Sequence, residues 1–195
     1  MDPKRRCVFL DRDGVLVEDR GLLVEPGDFR ILAGVPQALR RLHEAGFVLV
    51  AVSNQAVVAR GLISEAGLEV LHGHLGQLLR QQGAPLLDGF YSCPHHPAAT
   101  LPAYRTDCAC RKPRPGLLLR AAQELGLDLA GSYMVGDRPS DLQAGHRAGC
   151  RSIWVQSGRH ADRPIESPEA PDPEVPVAFT CNSLLEAAAW ILEGR

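Results

Sequence analysis

The sequence predicts an α/β fold, a mostly parallel, doubly wound sheet with helices on both faces. Three observations carry this. Short continuous apolar runs alternate along the chain with segments whose apolar residues recur at helical spacing, the pattern of strands and helices wound around a parallel sheet. Proline and glycine stand at the starts and ends of the helical segments, the expected punctuation. Polar and acidic clusters come directly after the apolar runs, and in an open parallel sheet the site lies outside the carboxyl ends of the strands.

Cys7 to Leu10 is the first strand, and it breaks into Asp11-Arg12-Asp13-Gly14-Val15. At a strand end, residues i and i+2 point to the same side, so Asp11 and Asp13 can face one site. Gly14 lets the chain turn sharply behind them. Pro36 opens a helix through Ala38, Leu39, Leu42 and Ala45, which Gly46 closes. Phe47 to Val52 reads as a strand buried on both faces and ends in Ser53-Asn54-Gln55. Ser64 is the expected N-cap of a helix with Leu68, Leu71, Leu75 and Leu78 on one stripe and Gly83 at its end. Leu86 to Tyr91 is the third predicted strand, and a proline- and cysteine-bearing loop runs from Ser92 to Pro113.

Pro115 and Gly126 bracket the next helix, and Ser132 to Val135 is a strand ending in Gly136-Asp137. Ser140 is the expected cap of a short helix to Ala148, and Ser152 to Val155 is the fifth strand. Five prolines and many charges between Ser157 and Pro176 predict a surface excursion without its own core. Val177 to Thr180 is a last strand, and Ser183-Leu-Leu-Glu186 is a capping-box pattern opening the final helix.

Composition narrows the function classes. With 195 residues the chain is most simply one domain, residues 1–195. Acidic and basic residues nearly balance, 23 against 21, so no basic field invites nucleic acid or an anionic membrane. No apolar run approaches a membrane span or the core of a signal peptide. A cytoplasmic chain is therefore expected, and its six cysteines favour thiols or metal ligands over disulfides. Cys7, Cys150 and Cys181 fall in or beside strands and read as core thiols.

Two carboxylates held as close as Asp11 and Asp13 call for a cation between them or a proton on one. Asp11, Asp13 and Asp137 together offer hard oxygen ligands for Mg²⁺. Ser53 and Lys112, the latter just ahead of a helix, offer a hydroxyl and a cation for phosphate oxygens. Gly136-Asp137-Arg138-Pro139-Ser140-Asp141 places two more carboxylates at a strand-to-helix turn.

In order, these segments resemble the four signature motifs of haloacid dehalogenase-like phosphatases: D-x-D-G-[TV], a strand-end Ser/Thr, a Lys before a helix, and G-D-x-x-x-D. The resemblance covers residues 7–155 and implies a Rossmann-like hydrolase fold. It implies Asp11 as the nucleophile that becomes a phospho-aspartate and Asp13 as general acid and then base. Ser53 and Lys112 would steady the phosphoryl oxygens. Mg²⁺ would sit on the Asp11 and Asp137 carboxylates and the Asp13 backbone carbonyl, with Asp141 behind them orienting Lys112 or a metal-bound water.

Cys93-Pro94-His95-His96 and Cys108-Ala109-Cys110 form a second constellation. Three thiolates and an imidazole suit a closed, structural zinc site, against the alternative of buried free thiols. Cys-Pro-His-His-Pro with a later Cys-x-Cys-Arg-Lys-Pro resembles the D-glycero-D-manno-heptose 1,7-bisphosphate phosphatases and the related histidinol-phosphate phosphatases. That resemblance implies Cys93, His95, Cys108 and Cys110 as Zn²⁺ ligands, with His96 the alternative. The sequence departs from the pattern at Ala56-Val57, where the family has Ser-Gly, and a branched side chain there reshapes the pocket. About forty residues between Asp11 and Ser53 leave no room for a large cap domain.

Arg60, Arg111 and Arg138 lie near the catalytic positions, and a guanidinium suits a second phosphate bidentately. With Arg12, Asp19, Asn54 and Gln55 they are the expected substrate contacts. The predicted partner is a small phosphorylated sugar, a heptose 1,7-bisphosphate cleaved at C7, with no nucleic acid, no membrane and a monomeric chain. Histidinol phosphate is the alternative, because Asp19 or Glu25 could hold its amine. A catalytically silent, zinc-stapled module on the same fold is the other, opposed by the intact Asp11/Asp13 pair.

Overall fold

The computed structural model describes residues 4–156 and 172–194. Six strands, β1 (Cys7–Leu10), β2 (Val48–Asn54), β3 (Gly89–Cys93), β4 (Tyr133–Gly136), β5 (Arg151–Val155) and β6 (Val177–Cys181), form one sheet in the order β3-β2-β1-β4-β5-β6. Every pairing is parallel. Six helices join them: α1 (Val35–Glu44), α2 (Ala56–Ala59), α3 (Glu65–Gln81), α4 (Gly116–Leu125), α5 (Pro139–Ala148) and α6 (Leu184–Leu192).

Side chains alternate across the sheet and divide the core into two layers. Val8 and Leu10 of β1, with Leu49 and Ala51 of β2, pack on α1, α3 and α6. Cys7 and Phe9, with Val48, Val50 and Val52, pack on α4 and α5. All four residues of β1 are fully buried; each such large apolar side chain contributes roughly 1.5–3 kcal/mol. β1 is thus the rigid centre of the molecule, and the loop that leaves it at Asp11 starts from a fixed anchor. The three remaining thiols, Cys7, Cys150 and Cys181, are buried in these layers, and burial raises all three.

The caps fall where the sequence puts them, with one exception. Ser64 Oγ accepts from Gly67 N at 3.0 Å, and Ser183 Oγ accepts from Glu186 N at 3.2 Å. Gly126 closes α4 with φ +65°. At α5, however, the cap is not Ser140 but Arg138, two residues earlier, and the Asp141 carboxylate accepts from Arg138 N at 3.0 Å.

β3 also differs, starting at Gly89 rather than Leu86. Leu86 is exposed, and Asp88 pairs with Leu49 through its own N–H and carboxylate, both at 2.8 Å. β2 and β3 run further than apolarity suggests, because Ser53 pairs with Ser92 and Asn54 with Cys93 in the parallel ladder. The short helix α2 had no sequence signal at all. Of the proline-rich excursion, residues 157–171 lie outside the described residues, and 172–176 lead into β6 as a turn. Residues 11–34 hold a 3-10 turn at Pro26–Asp28 and isolated bridges of Val17 to Asp13 and Ile31, so no large cap stands between β1 and α1. Among the described residues no helix is long and apolar enough to cross a membrane.

Candidate active site

The carboxyl ends of β1, β2 and β4 converge as expected of a parallel sheet. Asp11 lies one residue beyond β1, yet its N–H bonds to Val135 O of β4 at 3.0 Å. The sheet therefore fixes its backbone. Behind it, Gly14 turns with φ +90°, and a Cβ there would collide with the Asp137 carboxylate. A Cβ at Gly136 would likewise strike Asp141. These two glycines let the β1 loop and the β4–α5 turn approach closely enough to bring three carboxylates together.

Asp11, Asp137 and Asp141 have carboxylate oxygens within 4.8 Å of one another. Burial, followed by the charge of Asp141, pushes Asp11 up to about 6 despite the pull of Lys112. Burial and the charges of Asp11 and Asp141 push Asp137 up to about 8. Asp137 Oδ1 is buried without a hydrogen-bond partner among the described residues. Oxygen donors crowded this way, one orphaned and two reluctant to ionise, fit a hard divalent cation. Asp13 does not join them by its side chain. Asp141 stands inside the carboxylate cluster rather than behind it.

Lys112 brings a buried cation into contact with this group. Its Nζ forms ion pairs with Asp11 Oδ1 at 2.9 Å and Asp141 Oδ1 at 2.7 Å and donates to Val52 O at 2.8 Å. Burial alone would lower the ammonium, but Asp11 and Asp141 together hold it above its ordinary value. Its main chain is clamped as firmly: Lys112 N donates to Asn54 Oδ1, and Asn54 Nδ2 donates to Lys112 O, both at 3.0 Å.

Asp13 turns toward the other side of the loop. Arg12 donates to it twice, Nε to Oδ1 at 2.8 Å and Nη2 to Oδ2 at 2.9 Å. Gln55 Nε2 adds a bond to Asp13 Oδ2 at 3.0 Å and another to Ser53 Oγ at 2.7 Å.

Above these residues lies a cavity of about 490 Å³. Of the predicted contacts it is lined by Asp11, Asp13, Asp19, Ser53, Asn54, Gln55, Arg60, Arg111, Lys112, Arg138 and Asp141. Arg12 is the correction. It is 1% exposed and is absent from the cavity wall, because its guanidinium is spent on Asp13 and packs over the Phe29 ring. Arg138 Nη2 pairs with Asp19 Oδ2 at 2.6 Å, so the acid expected to take an amine already faces a cation. Val57 lines the cavity while packing with Val58 and Leu68 in a small apolar cluster. Gly21, Leu22 and Ser140 line it with no sequence signal.

The cysteine loop forms a second cluster beside the first. Cys93, Cys108 and Cys110 Sγ with His95 Nδ1 lie within 4.8 Å of one another, and the three thiols are free. His96 is not among them. Its Nδ1 accepts from Ala98 N at 3.0 Å, and the ring faces the cavity. Burial opposes ionisation of Cys108, yet its hydrogen bonds with the Cys110 and Cys93 sulfurs bring it down to about 7. Three thiols and one imidazole nitrogen converging on a point fit zinc. The two clusters share a segment of chain: Arg111 Nη1 donates to His95 O at 2.9 Å, and Lys112 is the next residue.

A family model described as "HAD-hyrolase-like" matches residues 109–187. The D-glycero-beta-D-manno-heptose-1,7-bisphosphate 7-phosphatase of Escherichia coli (strain K12) is 39% identical over 181 residues, which cover 92% of this chain and 90% of that one. The protein of the same name from Photorhabdus laumondii is 44% identical over 161 residues, covering 82% and 85%. The crystal structure of D,D-heptose 1,7-bisphosphate phosphatase from B. bronchiseptica, complexed with magnesium and phosphate, superposes with a TM-score of 0.80 at 34% identity. That match covers 97% of this chain and 99% of the other.

Proposed function

The chain belongs to the haloacid dehalogenase-like phosphatases, in the family of the D-glycero-beta-D-manno-heptose-1,7-bisphosphate 7-phosphatases, and on that premise we propose that it removes the C7 phosphate of D-glycero-D-manno-heptose 1,7-bisphosphate. The β anomer is the one named for its relatives. The observation that carries the proposal is one cavity holding both halves of the task. Asp11, Asp13, Ser53 and Lys112 are there for the scissile phosphate, and Arg60, Arg111 and Arg138 for a second anion.

Asp11 Oδ1 already accepts from Arg12 N at 2.8 Å and is ion-paired with the Lys112 ammonium at 2.9 Å, leaving Oδ2 to attack phosphorus. As that bond forms and the ester bond breaks, Asp13 gives its proton to the leaving C7 oxygen. Asp13 then takes a proton from water, whose oxygen displaces Asp11 from phosphorus and releases phosphate. Ser53 and Lys112 donate to the phosphoryl oxygens as charge spreads over them. Asp11, Asp137, Asp141 and the Asp13 carbonyl would hold Mg²⁺, which when bound supplies the positive charge that lets these carboxylates and a phosphate share one site.

The test compares kcat/KM for heptose 1,7-bisphosphate and histidinol phosphate in the parent and in Arg111→Ala. The bisphosphate should be the better substrate. Arg111→Ala should raise its KM roughly 10–100-fold, the scale of a charge-assisted hydrogen bond worth about 1.5–3 kcal/mol. A faster reaction with histidinol phosphate, indifferent to Arg111, would overturn the substrate assignment.

We further propose zinc on Cys93, His95, Cys108 and Cys110. Metal analysis should find about one zinc per chain. His95→Ala should abolish it while His96→Ala retains it. Zinc loss should also lower kcat, because Cys110 anchors the segment that carries Lys112; a zinc-free protein with full activity would contradict this.

A further inference from the structure

Arg12 is a buried guanidinium with one task. Its side chain donates to both oxygens of Asp13, Phe29 lies 5.5 Å beneath it, and Nη1 has no hydrogen-bond partner among the described residues. As a stabilising device this is poor, since desolvating a guanidinium offsets most of what a single ion pair returns. As a geometric device it is effective, because a planar fork fixes both oxygens of a carboxylate at once.

Each carboxylate oxygen offers about two acceptor positions. Asp13 Oδ2 fills both, with Arg12 Nη2 at 2.9 Å and Gln55 Nε2 at 3.0 Å. Oδ1 accepts from Arg12 Nε at 2.8 Å and keeps a second position open. Gln55 extends the arrangement to Ser53 Oγ, 2.7 Å from the same nitrogen. The acid/base carboxylate and the phosphoryl-binding hydroxyl are thereby held in fixed relation by one amide, itself 2% exposed.

We propose that Arg12 and Gln55 are positioning residues for Asp13, leaving Oδ1 as the atom that exchanges the proton. The inference rests on the phosphatase reading above. In the first step the proton passes from Asp13 Oδ1 to the leaving oxygen as the P–O ester bond breaks and the Asp11–P bond forms. In the second, Oδ1 recovers a proton from the water that displaces Asp11.

A leaving group that needs no proton separates this role from a structural one. 4-Nitrophenolate departs unassisted, whereas a sugar alkoxide does not, and kcat/KM reports the steps up to that departure. In Arg12→Met, which keeps the buried volume filled, kcat/KM for heptose 1,7-bisphosphate should fall roughly 10²-fold, within the usual range of general acid help. The loss with 4-nitrophenyl phosphate should be at least about tenfold smaller. Arg12→Lys keeps the charge but not the fork; it should show the same imbalance more weakly, and it carries the test if Arg12→Met does not fold. Equal losses on both substrates in a folded variant would overturn the positioning role while leaving the phosphatase assignment intact. A parent enzyme inactive on every phosphomonoester would instead overturn the assignment itself.

Discussion

Asp11→Asn should abolish turnover, with phosphate release falling at least roughly 10⁴-fold, the scale on which removing a nucleophile acts. An amide oxygen has neither the charge nor the basicity to form an acyl phosphate, so the covalent step is lost rather than slowed. The fold should not suffer. Asp11 is pushed up to about 6 by burial and by Asp141, which means its ionised form costs stability above that pH. Replacing it with a neutral isostere removes that cost. Without added magnesium, Tm at pH 7.5 should equal or exceed that of the parent. Rapid-quench mass spectrometry should trap a phosphorylated parent chain and no phosphorylated variant. Turnover persisting within about tenfold of the parent would rule out covalent catalysis by Asp11.

Lys112→Met should damage both stability and rate. Its ammonium is shared by Asp11, Asp141 and the Val52 carbonyl, and its removal leaves two buried carboxylates facing each other. Breaking a buried ion pair from one side costs about 3–5 kcal/mol, a fall in Tm of roughly 10 °C for a chain this size. The pH dependence has a definite sign. Asp11 stands near 6 with the ammonium present and higher without it, so the variant escapes the repulsion by taking up a proton. The difference in Tm from the parent, measured without added magnesium, should therefore be larger at pH 8 than at pH 5.5. kcat should fall roughly 10²–10³-fold, as for other losses of a preorganised donor at a developing charge. A stability difference independent of pH would mean that Lys112 does not neutralise these carboxylates.

The order of elements and the residues gathered at the strand ends were both legible in the sequence because both are written locally. A strand buried on two faces needs a continuous apolar run, and β1, β2 and β4 show one. A carboxylate pair at a strand end, a glycine behind it and a lysine before a helix are short-range patterns, and residues 11–14, 53–55 and 111–112 carry them. Element limits were less legible. β3 begins at Gly89 because the Asp88 carboxylate pairs with Leu49, a partner 39 residues away.

By itself, then, the sequence determined which residues could do chemistry and at which strand ends they would stand. Only the tertiary structure decided which way their side chains point. Arg12 and Asp13 are neighbours to the cavity residue Asp11, yet one is folded inward and the other is held by it and by Gln55. His95 and His96 are adjacent and chemically identical, yet one joins the thiols and the other lines the cavity wall. Asp141 enters the carboxylate cluster because Gly136 has no Cβ to obstruct it. In each case the deciding contact comes from a different part of the chain or from a backbone turn, and a side chain's direction is set by what occupies the space around it.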